Sequence, residues 1–207
     1  MDALIRFLRA KPWARRGLSA LSAILLVTAV GVLGYPVYTN LYRDRVQSRL
    51  DREIASPELK QAYEKKTLAV GDPLTRIKIP SIGVDTVVVE GTSASALRAG
   101  AGHYPSTPLP CEAGNVAIAG HRTTYGKPFN QLDRLKTGDV VILETPIGSC
   151  TYEISVEPRV ILPTDLSVVA NDPARQMLTL TTCHPKGSAA RRLYVQATLT
   201  KGAGQPA

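Results

Sequence analysis

Met177-Leu178-Thr179-Leu180-Thr181-Thr182-Cys183 is the stretch on which the fold reading turns. In an extended chain side chains alternate between two faces, so Leu178 and Leu180 share one side while Thr179, Thr181 and Cys183 share the other. A half-buried strand follows. The same short alternating or β-branched texture recurs at residues 76–79, 84–90, 115–119, 140–144, 152–161 and 193–199. Lys136-Thr137-Gly138-Asp139 and Pro146-Ile147-Gly148 punctuate these runs as turns. No amphipathic helix long enough for repeated βαβ crossovers lies between them, so the pattern predicts an all-β antiparallel barrel or sandwich over residues 71–200. The last residues, 201–207, carry no apolar period and read as a flexible tail.

Upstream the texture changes twice. Residues 43–70 are charge-rich, with Ser56-Pro57-Glu58 as an N-cap, first-turn proline and first-turn acid of a short helix; this segment reads as a helical stalk or linker. Residues 17–42 hold 26 positions without a charge. Roughly 20 residues at about 1.5 Å each cross a bilayer, so this run reads as a transmembrane anchor. The basic tail of residues 1–16 would then stay cytoplasmic and everything after Arg43 would lie outside. A cleaved signal peptide is the rival reading, with Ala29 and Gly31 as small residues for cleavage, but the apolar run exceeds the usual core of such peptides. Both readings export the domain.

Composition excludes other classes. With 207 residues and 44% apolar character the chain supports one compact domain, not two large ones. Net charge is +8, but Arg6, Arg9, Lys11, Arg15 and Arg16 against Asp2 place half of it in the first sixteen residues. With aromatics at 5% and no basic cluster on the folded part, a nucleic-acid partner is not expected.

Cys183 ends its strand on the face away from the leucines, where a thiol meets a groove. A lone cysteine is more often an inert small hydrophobe, so the reading depends on its partners. His184 points to the opposite face and is rejected. His103, in Gly102-His103-Tyr104-Pro105, reads as a turn residue satisfied by loop hydrogen bonds. His121 follows Asn115, Ala117 and Ala119 on one face, small residues that leave room for a ligand. Acyl transfer from a thiol also needs an oxyanion donor. In residues 191–197, Leu193, Val195 and Ala197 share one parity and Arg192 the other, so Arg192 is the arginine facing outward. Cys111 and Cys150 remain as candidate disulfide partners in an oxidising compartment, or as two free thiols.

Leu178-Thr-Leu-Thr-Thr-Cys183, followed nine residues on by Arg192-Leu-Tyr-Val, resembles the active-site signature of the sortases. Arg76-Ile-Lys-Ile-Pro80-Ser-Ile-Gly83, Gly114-Asn-Val-Ala-Ile-Ala-Gly-His121-Arg-Thr-Thr-Tyr-Gly126 and Leu132-Asp-Arg-Leu135 support the resemblance. It implies a closed eight-stranded β-barrel and a membrane-anchored cysteine transpeptidase. Cys183 would be the nucleophile, His121 the acid and base, and Arg192 the substrate and oxyanion binder. Thr181, Thr182 and Tyr125 would contact substrate. His121-Arg-Thr-Thr-Tyr125-Gly and Cys183-His-Pro185 look most like the class E housekeeping enzymes of high-GC Gram-positive bacteria. That class implies a Leu-Ala-X-Thr-Gly or Leu-Pro-X-Thr-Gly sorting signal on secreted proteins, cleaved between Thr and Gly, with an amine of a cell-wall precursor as acceptor. Membrane lipid is the remaining partner; no metal and no cofactor are expected. A pilin-polymerising sortase, a thiol hydrolase and an inactive membrane-tethered binding module are the alternatives.

Overall fold

The computed structural model of the protein describes residues 11–202; the first ten residues of the basic tail and residues 203–207 lie outside the described residues. A single helix, α1, runs Pro12–Glu53. The chain divides into two compact units, one ending at Thr39 and the other beginning at Asn40. The first is apolar and exposed, with Leu25, Leu26, Val27, Val30, Val32 and Leu33 open to the surroundings. It is long and apolar enough to cross a membrane. Pro36 lies inside the helix and supplies no backbone N–H. The hydroxyl of Thr39 donates back to the Pro36 carbonyl.

The second unit is a closed barrel. After a short helix α2 (Pro57–Glu64), capped by Ser56 accepting from the Leu59 N–H, come β1 (Pro73–Ile79), β2 (Val84–Glu90), the one-turn helix α3 (Ala94–Ala99), β3 (Ala101–His103) and β4 (Gly114–Gly120). β5 (Val140–Thr145), β6 (Gly148–Ile161), β7 (Gln176–His184) and β8 (Arg191–Lys201) complete it. The strands close in the order β1-β2-β3-β4-β7-β8-β6-β5. Inward positions alternate as expected: Ile77, Ile79, Val116, Ile118, Leu143, Leu178, Leu180 and Val195 are fully buried together.

Three expectations change. The barrel is not purely antiparallel, because β2 pairs with β3 and β4 with β7 in parallel. A parallel pair needs a crossover, and the β2–β3 crossover is the six-residue α3, too short to announce itself as a helical period. β3 itself has three residues and no alternation to read. Lys201 belongs to β8 rather than to the tail.

The segment read as a stalk is packed on the barrel. Leu50 is fully buried with Val87, Val89 and Ala96. Gln47 inserts its amide beside β2: its Nε2 donates to the Val87 and Ala99 carbonyls, and its Oε1 accepts from the Val87 N–H and the Thr86 hydroxyl. A side chain thus completes the hydrogen bonding of a strand that β3 is too short to cover, and leaves its own buried amide satisfied. Cys111 and Cys150 are joined in a disulfide with Cα atoms 5.7 Å apart, bridging the loop before β4 to β6. Beneath it Tyr152 is buried and accepts from the Cys111 N–H. Burial drives its phenol up to about 12, against the opposing pull of that hydrogen bond.

Candidate active site

Register brings the candidate residues together. β4 and β7 pair in parallel, with Val116 opposite Leu178, Ile118 opposite Leu180 and Ala119 opposite Thr181. Two residues further along each chain stand His121 and Cys183. β7 and β8 pair antiparallel with Cys183 opposite Arg192. Three neighbouring strands therefore deliver imidazole, thiol and guanidinium at one level of the barrel rim. All three side chains line a cavity of about 210 Å³, together with Thr92, Leu97, Tyr104, Ala119, Gly120, Thr181 and Thr182.

Cross-ties hold this rim beyond the last ladder bond. The Thr182 hydroxyl donates to the Gly120 carbonyl at 2.7 Å. Arg122, almost wholly buried, donates from Nη1 to the Cys183 carbonyl and lies 2.8 Å from Nδ1 of His184. Its Nη2 pairs with Asp133 at 3.1 Å. The loop bearing the imidazole and the strand end bearing the thiol are thus bolted to each other through main-chain carbonyls. Gly120 is required by packing: a Cβ there would stand 2.6 Å from Cδ2 of Phe129. The Phe129 N–H donates to the His121 carbonyl, and Asn130 to that of Arg122.

Cys183 is the free cysteine among the described residues and is half-buried. His121 is also half-buried, and its imidazole has no hydrogen-bond partner among the described residues. Burial, and secondarily the nearby positive charge of Arg98, hold its pKa below the ordinary histidine value. Arg192 donates from Nη1 to the Ala189 and Arg191 carbonyls, which fixes the plane of its guanidinium at the cavity edge.

The structure separates the remaining candidates. Thr181 lines the cavity with its hydroxyl 3.2 Å from the Tyr104 hydroxyl. Thr182 lines it too, but its hydroxyl is spent on Gly120. Tyr125 is not among the lining residues; its ring packs on His121 with centroids 5.4 Å apart. His184 faces Arg122, away from the thiol, in keeping with strand parity. His103 is not a turn residue: it ends β3, is buried, and places Nδ1 2.8 Å from Glu90 and Nε2 2.9 Å from the Pro108 carbonyl. Arg122, Tyr104, Thr92 and Leu97 were not picked out from the sequence. Adjacency to His121 was the one available signal for Arg122; the others come from elements whose pairing is not local.

A sortase domain model matches residues 77–200. Among curated proteins, sortase D of Bacillus subtilis is 34% identical over 122 residues, covering 58% of this chain and 60% of the relative. Sortase SrtE1 of Streptomyces coelicolor is 27% identical over 195 residues, 85% of this chain and 55% of that protein. The chain therefore spans somewhat over half the length of these curated relatives. Among solved structures, the Clostridium perfringens sortase D5 transpeptidase superposes with a TM-score of 0.66 at 30% identity, covering 76% of this chain and 98% of that one. Likeness extends to D-type and E-type proteins alike. With the matching domain covering more than half of its length, and the same barrel in its structural neighbour, this chain belongs to the sortase family.

Proposed function

We propose that this protein is a membrane-anchored cysteine transpeptidase that cuts a C-terminal sorting signal of the Leu-Ala-X-Thr-Gly or Leu-Pro-X-Thr-Gly kind between Thr and Gly. The acyl group then passes to an amine of a cell-wall precursor. The observation that carries this reading is the single cavity lined by Cys183, His121 and Arg192. In the first step the Cys183 thiol passes its proton to His121 as its sulfur attacks the Thr carbonyl carbon, the C–S bond forms, and the Thr–Gly C–N bond breaks as His121 gives that proton to the departing amine. In the second the acceptor amine attacks the thioester, a C–N bond replaces the C–S bond, and His121 takes the proton. Arg192 donates to the oxygen that carries negative charge in both tetrahedral species.

The cavity is small and Ala119 and Gly120 are among its lining residues, which suits an extended peptide of small side chains. The apolar part of α1 acts as the anchor, with the basic tail cytoplasmic and the barrel outside, as the charge asymmetry directs. The disulfide supports an oxidising location for the barrel.

The test is to incubate the full chain, in detergent micelles, with each of the two peptide signals and a small amine. Transfer product from the native chain and none from Cys183→Ala is the expected result. Transfer by Cys183→Ala overturns the assignment of the nucleophile, and free acid as sole product in excess amine overturns transfer in favour of hydrolysis.

A further inference from the structure

His121 lies one residue beyond the end of β4, so no ladder bond clamps it, and its ring carries no hydrogen bond among the described residues. The Tyr125 ring packs against the imidazole, tilted 36° to it. Tyr125 sits at the tip of the loop with φ +49°, and Lys127 two residues on has φ +41°. Non-glycine residues hold such left-handed conformations when the surroundings over-determine them.

Those surroundings come from one turn of α1. The Tyr42 ring meets Tyr125 edge-on, centroids 6.2 Å apart at 76°. The Asn40 Oδ1 accepts from the Gly126 N–H at 3.3 Å. The Arg43 side chain lies so close over Gly126 that a Cβ there would be 2.8 Å from its Cδ, and Gly126 is itself left-handed with φ +74°. Arg43 in turn donates to the Thr86 hydroxyl on β2, and Gln47 one turn later is locked into the same strand. The chain of contact is continuous: barrel, Gln47 and Arg43, then Tyr42, Tyr125 and His121.

We propose that Tyr42 is a positioning residue for the reaction, setting the orientation of the His121 imidazole through Tyr125, so that the turn Asn40–Arg43 at the end of the apolar run is part of the active site. The proposal rests on His121 being the acid and base of the reading above. An edge-on aromatic contact of this kind is a small but directional interaction, strong enough to select one ring orientation and dependent on the ring rather than on its hydroxyl.

The experiment compares Tyr42→Ala and Tyr42→Phe with the native full chain in micelles, reading both turnover and the His121 ring resonances by NMR titration. Tyr42→Ala is expected to lower kcat about three- to tenfold with KM for the peptide unchanged within twofold. It also displaces the His121 resonances and the acid limb of the pH profile. Tyr42→Phe restores all three. The proposal is overturned if Tyr42→Ala leaves the His121 resonances and kcat as they were, or if Tyr42→Phe behaves like Tyr42→Ala. Because the NMR readout needs no turnover, displaced resonances in a chain that transfers no acyl group uphold the contact and reject only the chemistry assigned to it.

Discussion

Two histidines stand within the same barrel and live in opposite conditions. His103, at the end of β3, is buried with Glu90 on one ring nitrogen and the Pro108 carbonyl and Thr107 hydroxyl on the other. His121, just past β4, borders a cavity with a ring on one side of its imidazole and no hydrogen bond among the described residues. The first is saturated and its role is cohesion. The second keeps both nitrogens available, which is what a group that must take and give a proton requires. A buried histidine whose every polar atom is already engaged is poorly suited to chemistry, and one left unsatisfied at a cavity is poorly explained by stability.

The contrast breaks first at His121. Replacing it by Ala is expected to lower kcat/KM for peptide transfer by about 100- to 10,000-fold, the usual worth of a general acid and base, while thermal unfolding followed by circular dichroism moves little. A comparable loss of Tm would mean that the two histidines are not so different. Replacing His103 by Ala should do the reverse. It strands the Glu90 carboxyl in the core, at a cost of about 1–3 kcal/mol of stability measured by urea unfolding, with the cavity chemistry largely kept.

Arg98→Ala sharpens the comparison by the smallest effect. Burial is the larger cause of the depressed His121 pKa and the Arg98 charge the lesser, so the variant raises that pKa without restoring the ordinary value. The sign for stability follows from proton counts. Between the depressed folded value and the ordinary unfolded one the unfolded chain binds more protons, so stability rises with pH across that window and falls on acidification. Arg98→Ala narrows the window from below. An NMR titration of the imidazole reads the shift directly, and an unmoved or lowered midpoint contradicts the assigned cause.

The tie between the cavity and α1 bears on the same contrast. His103 is held by Glu90 on the paired strand β2 and by Thr107 and Pro108 in the loop that follows it, whereas His121 is steadied from a helix some eighty residues earlier. Groups that must remain free of hydrogen bonds are oriented by packing, and packing is recruited from wherever the fold supplies a surface.

Seven of the eight strands, the parity of Cys183 and Arg192, the cap at Ser56 and the apolar run are all legible along the chain, because each is a local pattern of period two, a local turn chemistry or an uninterrupted length. The three-residue β3, the parallel β2–β3 and β4–β7 pairings, the insertion of Gln47 beside β2 and the burial of His103 are not, because each depends on which distant segments become neighbours when the sheet closes. Strand parity and motif together nominated Cys183, His121 and Arg192. Their meeting in one cavity, and the roles of Arg122 between them and Tyr42 behind them, arise from register and packing, forces that act across space and leave no periodic trace in the order of residues.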